Sequence, residues 1–140
     1  MKQLISAYYN RGLSYAHLHL LHEAILDFTK AIELDDTDLS CYINRARAYY
    51  ELGEHEKATQ DYSQIINKDN QYVAAYLGRA DVFRLQGNLD AAIKDYEEAT
   101  DIRRALNTED GRTTIRNGQD AHSYNYKGEF AVNKKDMKRH

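Results

Sequence analysis

The chain has 140 residues, 29% of them charged and 42% hydrophobic, which is enough for one domain with a core of its own. The net charge is −3, and the acidic excess sits in residues 1–104, with 12 Lys/Arg against 17 Asp/Glu; phosphate neutralisation needs a basic surface, so nucleic acid is not the expected ligand. Proline is absent, which excludes PxxP ligands and Pro-rich linkers, and the single Cys41 excludes an intrachain disulfide and a four-cysteine metal site.

The first residues, Met1-Lys2-Gln3-Leu4-Ile5-Ser6, turn polar at once, so no signal-peptide run is expected. No run of eighteen apolar residues occurs, so no membrane span is expected either. The expected setting is a reducing one, cytoplasmic, with the nucleus left open. Mean hydropathy of −0.79 suits a fold with much exposed surface, or a folded body with a polar tail.

Three stretches starting at Ile5, Leu39 and Val73 align at a period of 34 residues. In each, Tyr8, Tyr42 and Tyr76 share a column, as do Arg11, Arg45 and Arg79, and then Gly12, Ala46 and Ala80. Tyr15, Tyr49 and Phe83 follow, then Ala24, Ala58 and Ala92, then Asp27, Asp61 and Asp95, then Phe28, Tyr62 and Tyr96. Within each stretch the apolar and small residues recur at i, i+4 and i+7, first over one segment and then over a second, which reads as two helices. The spacing predicts helices over 5–18, 22–35, 39–52, 55–68, 73–86 and 89–104. Gly53 and Gly87 fall between the two helices of their stretches and suit a left-handed C-cap; His19 takes that place in the first. The stripe of tyrosines is read as core. After Leu106 the period fails: 107–120 reads as polar loop, and 133–140 as a charged, frayed tail. Tyr124, Lys127, Gly128 and Ala131 repeat the first-helix spacing, so a capping helix is expected over 121–132, with a wholly disordered tail as the alternative.

This pattern resembles the tetratricopeptide repeat, W-x2-L-G-x2-Y…A-x3-F…P at 34 residues. The resemblance covers 5–106 as three repeats, 5–38, 39–72 and 73–106. Tyrosine stands for the leading Trp, arginine for the Leu, and Asp36, Asn70 and Arg104 for the closing Pro. It implies an all-α fold, a right-handed superhelical stack of helix-turn-helix units, in which the first helices line a concave groove that binds peptides or partner proteins.

Carried over column by column, the implied groove residues are Tyr9, Asn10, Leu13 and His17 in the first repeat. They are Ile43, Asn44, Arg47 and Tyr50 in the second, and Leu77, Asp81 and Arg84 in the third. Ser6, Ala16, Ser40, Glu51, Ala74, Gly78 and Leu85 complete the same columns. Asn10 and Asn44 share one column, and a side-chain amide that both donates and accepts can pair with a peptide unit of any sequence; the alternative is that both are solvated or bond the next turn. Family members that clamp a heat-shock chaperone tail use cations and asparagines at positions that here are Tyr9, Leu13, Asn44, Ala74 and Gly78. Only Asn44 fits, so such a tail is not the expected ligand. The resemblance implies that the first helix of one repeat packs on the second helix of the repeat before it, which makes Asp27–Arg45 and Asp61–Arg79 the expected ion pairs.

His17, His19 and His22 cluster at the first turn but lack a carboxylate or cysteine to complete a zinc set, so they read as surface residues. Cys41 reads as a buried small residue. No phosphate loop, GxSxG, HExxH or CxxC motif occurs, and neither a catalytic centre nor a cofactor is expected. The expected function is a protein-interaction module or scaffold that takes a peptide segment or partner helix in the groove. Two alternatives remain open. One is a piece of a longer repeat array that stacks end to end or self-associates through its terminal helix. The other is an accessory domain of a larger enzyme.

Overall fold

A computed structural model describes residues 1–110. They form six helices and no strand: α1 (Lys2–His17), α2 (Leu21–Leu34), α3 (Leu39–Leu52), α4 (His55–Lys68), α5 (Val73–Leu85) and α6 (Leu89–Asp110). Residues 1–100 make one compact unit, and the second begins at Asp101. The first five helices end within three residues of the positions read from the spacing. α6 instead runs past Arg104 to Asp110, into the stretch expected to be loop. Arg104 pairs with Asp101 one turn back and Thr108 Oγ1 bonds the Arg104 carbonyl, and the first helix-breaking residue is Gly111. The expected helix over 121–132 and the tail 133–140 lie outside the described residues.

The helices form repeats of helix-turn-helix; from α1 to α5 each packs on the next, with α1 also meeting α3 and α3 meeting α5. Small residues set the spacing. Ala24, Ala31, Ala46, Ala58, Ala75 and Ala80 are fully buried, and Tyr42, Ile43, Tyr62, Ile65 and Val82 fill the core beside them. A methyl group on Gly12 would collide with the Phe28 ring, so the first repeat needs the smallest residue where the others have alanine.

The three intra-repeat turns close alike. Leu20, Glu54 and Asn88 donate backbone N–H groups to Tyr15, Tyr49 and Phe83, and His19, Gly53 and Gly87 all take positive φ, at 62°, 82° and 83°. Histidine is thus held in a conformation that favours glycine. Between repeats the missing proline is replaced by an aspartate turn. Asp35 Oδ1 accepts from the backbone and hydroxyl of Thr37, Asp69 Oδ1 accepts from the Gln71 backbone, and Asp38 caps α3 through Ser40 N.

The arginine and aspartate columns pair inside each repeat, not between repeats as the sequence suggested. Arg11 holds Asp27 through Nε and Nη2 at 2.8 and 2.9 Å, Arg45 holds Asp61 at 2.8 and 2.8 Å, and Arg79 holds Asp95 at 2.7 and 3.0 Å. The reason is geometric: the planar guanidinium fork can face only one carboxylate with two parallel bonds, and the aspartate across the helical hairpin is within its reach. The link to the preceding repeat is made by the remaining nitrogen. Arg45 Nη1 donates to Thr29 Oγ1 and Arg79 Nη1 to Ser63 Oγ, both at 3.0 Å. Each arginine also lies beside aromatic rings of its own helix, Arg45 about equally from Tyr42 and Tyr49 and Arg11 from Tyr8 and Tyr15.

Cys41 is fully buried on α3. Burial, with Asp38 and Asp35 nearby, pushes its thiol up to about 11, so it stays protonated and inert at neutral pH.

Two outcomes are expected. Asp61→Ala leaves the mostly buried Arg45 without its main partner and should lower stability by about 3–5 kcal/mol in urea denaturation; an unchanged midpoint would refute the pair as a structural element. Burial pushes the Tyr62 phenol up to about 12, and burial together with the bond to Asp81 does the same for Tyr96. The folded state therefore holds these protons more tightly than the unfolded chain does. Their contribution is fully present below pH 10 and is lost as pH rises toward 12. Circular dichroism should show alkaline unfolding in that window, coincident with phenolate absorbance at these two rings.

Candidate functional site

The site is built where α1 and α3 lie side by side. A depression of about 170 Å³ opens between them, lined by Leu13, Ala16 and His17 from α1, Leu21 from the start of α2, and Asn44, Arg47, Ala48 and Glu51 from α3. Helical spacing explains the convergence: Leu13, Ala16 and His17 recur at i, i+3 and i+4, as do Asn44, Arg47 and Ala48. The floor is aliphatic and the rim is charged by Arg47 and Glu51, both exposed. His17 Nδ1 lies 2.8 Å from the Leu13 carbonyl, and His19 beyond it lies 3.8 Å from Glu51.

Of the residues read from the sequence, the structure brings Leu13, His17, Asn44 and Arg47 around this one depression. Tyr9 joins them indirectly. It is half-buried, its ring tilts against Phe28 at 6.0 Å, and its hydroxyl accepts from Asn44 Nδ2 at 3.2 Å. Asn10 is exposed. Asp81 and Arg84 form a separate network on α5, in which the Tyr96 hydroxyl donates to Asp81, accepts from Arg84 Nε at 3.4 Å, and the two charges lie 3.7 Å apart. Tyr50 and Leu77 are half-buried, Tyr50 packed against the core.

The structure accounts for three of these positions. Ile43 is not open to the groove: it is buried at 5% exposure within the core cluster that also holds Tyr62 and Ala75. Asn44 is not a free amide. Its Nδ2 also donates to the Ser40 carbonyl at 2.9 Å, so both of its N–H groups are engaged within the chain. Gly78, which interrupts the asparagine column, has a packing reason, since the Tyr62 ring occupies the space a Cβ would need.

Leu21, on a second helix, and Ala48, outside the groove columns of α3, line the depression but were not among the residues read from the sequence. A second, larger depression of about 490 Å³ lies between α4 and α5 and is polar, with Gln60, Gln64 and Gln86 around Phe83. Its hydroxyls are engaged, Ser63 with Arg79 and Thr59 with the His55 carbonyl. The i, i+4 spacing of Gln60 and Gln64 was the one available signal. Among the described residues no three His, Cys, Asp or Glu side chains gather to hold a metal ion, and no helix is long and apolar enough to cross a membrane.

Profiles of the tetratricopeptide repeat match residues 5–38 and 43–107. The chain belongs to the tetratricopeptide repeat family. No curated protein sequence matches it. Among solved structures, MamA is similar at 24% identity and a TM-score of 0.72, covering 74% of this chain; the present chain spans 61% of that one. The second repeat domain of Spaghetti (RPAP3), solved with the HSP90 peptide SRMEEVD, is 28% identical with a TM-score of 0.68 over 72% of this chain and 94% of its own. The second such domain of human RPAP3, in complex with the HSP70 peptide SGPTIEEVD, is 26% identical with a TM-score of 0.68, over 72% and 84%. The exclusion of a chaperone tail drawn from single positions is not supported by these neighbours, two of which hold such peptides.

Because Asn44 bridges α3 to α1, Asn44→Ala should cost on the order of 1 kcal/mol of stability. A thermal double-mutant cycle with Tyr9→Phe checks it: the two losses should be less than additive, and full additivity would show that the bond contributes nothing.

Proposed function

We propose that the protein is a non-catalytic interaction module that takes an extended peptide segment along α1, α3 and α5. The depression between α1 and α3 is the observation behind this reading. It joins an aliphatic floor (Leu13, Ala16, Leu21, Ala48) to polar groups of both signs (Arg47, Glu51) and an asparagine, the mixture that peptide sites use for side-chain pockets and backbone bonds. Arg47 and Arg84 give that side its exposed cations, with Asp81 and Glu51 partly offsetting them. A peptide that carries a carboxylate next to a small or aliphatic side chain fits the depression best. The peptide complexes of similar repeat domains support the class of ligand.

The peptides SRMEEVD and SGPTIEEVD are the first probes, followed by partners captured from lysate, each titrated by calorimetry against wild type, Arg47→Glu and Leu13→Asp. Arg47 is exposed, so Arg47→Glu should melt as wild type does; Leu13 is half-buried, so Leu13→Asp should melt somewhat earlier and is titrated well below its midpoint. Binding should weaken at least about tenfold in each, the effect of losing one well-placed contact. Equal affinity in wild type and both variants would leave the groove idle for that partner.

A further inference from the structure

Both ends of the described stack present a face that is buried or partly covered everywhere else in it. Inside the stack, α3 packs on α2 and α5 on α4. The helix face used at these junctions is read from burial: Cys41 and Ala48 on α3 and Ala75 and Val82 on α5 are at 0–3% exposure, with the arginine between each pair at 17% and 22%. One repeat earlier, the same face of α1 is Ala7, Arg11 and Ser14. All three are exposed, the Arg11 side chain at 59%. The complementary face, on the second helix of a repeat, is Leu21, Ile25 and Thr29 on α2 and His55, Thr59 and Ser63 on α4, all partly covered. On α6 it is Leu89, Ile93 and Glu97, and there both apolar residues are exposed, at 56% and 45%.

We propose that the protein self-associates head to tail, the Leu89–Ile93–Glu97 face of one molecule packing on the Ala7–Arg11–Ser14 face of the next. The two faces are the halves of a junction that the chain already builds twice. Charge matches as well as shape. At each internal junction the arginine Nη1 donates to an oxygen on the preceding helix, Thr29 or Ser63. Arg11 engages Asp27 through Nε and Nη2, as the others do with their aspartates, and no bond from its Nη1 matches theirs. The residue in the Thr29 and Ser63 register on α6 is Glu97, so the same contact between molecules becomes a charge-assisted one. Such an interface joins two different patches, so it does not close at two copies and extends into open chains unless the rotation closes a ring. It leaves the α1–α3 depression free, and stands or falls independently of peptide binding there.

Sedimentation velocity of the full chain over a concentration series tests it. The weight-average mass should rise beyond that of a dimer. Ala7→Glu blocks only the α1 face and Glu97→Lys only the α6 face; both positions are exposed, and circular dichroism melts should match wild type. Each variant alone should associate at least about tenfold more weakly. Their equimolar mixture retains one good face of each kind and should form dimers and stop there. A wild-type chain that stays monomeric throughout overturns the proposal. So does either variant that associates as wild type does, or a mixture that stays monomeric.

Discussion

Everything in this fold turns on the aspartate buried in the second helix of each repeat. Asp27, Asp61 and Asp95 are at 4–5% exposure, and a carboxylate removed from water that far must have both oxygens bonded or it destabilises the fold. The arginine fork does this with two parallel bonds, which is why arginine stands where most family members have leucine. No side-chain nitrogen or oxygen buried in the described structure lacks a partner. Once the fork is aimed at its own aspartate, its third nitrogen points at the preceding helix, and a small hydroxyl there completes the set. One cation thus fixes the angle of a hairpin and the step to the previous one. A pair of this kind contributes little net stability compared with an apolar replacement; what it fixes is registry, since a helix rotated by one position would strand a charge.

The remaining faces follow from that anchoring. With the arginine side of each first helix turned to its partner and to the preceding repeat, the opposite side is left to line α1, α3 and α5. Aromatic rings then approach wherever the backbone allows. Phe28 meets Gly12, and Tyr62 meets Gly78, so glycine appears on first helices where a ring needs the space. The cost of a glycine within a helix, about 0.5–1 kcal/mol, is offset by the ring it admits.

The 34-residue spacing made the helices, turns and core legible, because burial recurs with the repeat. His19 stood out for the same reason: it occupies a glycine column, and its φ of 62° shows the turn holding its shape at some strain. The ion pairs were not legible, and the cause is the periodicity itself. Asp27 and Asp61 each have an arginine 16 residues before and another 18 after, and both spacings recur, so register alone cannot choose between them. Only the reach and plane of the guanidinium decide. Ile43 was misplaced for a related reason: column position gives the direction of a side chain, but not whether the core closes over it.

Asn44 shows how that geometry alters the chemistry of the candidate site. As a free amide it would read a peptide backbone in either direction, donating and accepting. With one N–H on the Tyr9 hydroxyl and the other on the Ser40 carbonyl, the atom left to a ligand is Oδ1, an acceptor. A backbone carbonyl facing it would be repelled, and a backbone N–H would be bonded. Arg47, one turn along the same helix, presents only donors, and Glu51, one turn further, presents only acceptors when ionised. The depression therefore offers acceptor, donor and acceptor in sequence along α3. A peptide laid on that row would have to meet Asn44 and Glu51 with N–H groups and Arg47 with a carbonyl or carboxylate, a narrower demand than a ladder of free amides would make.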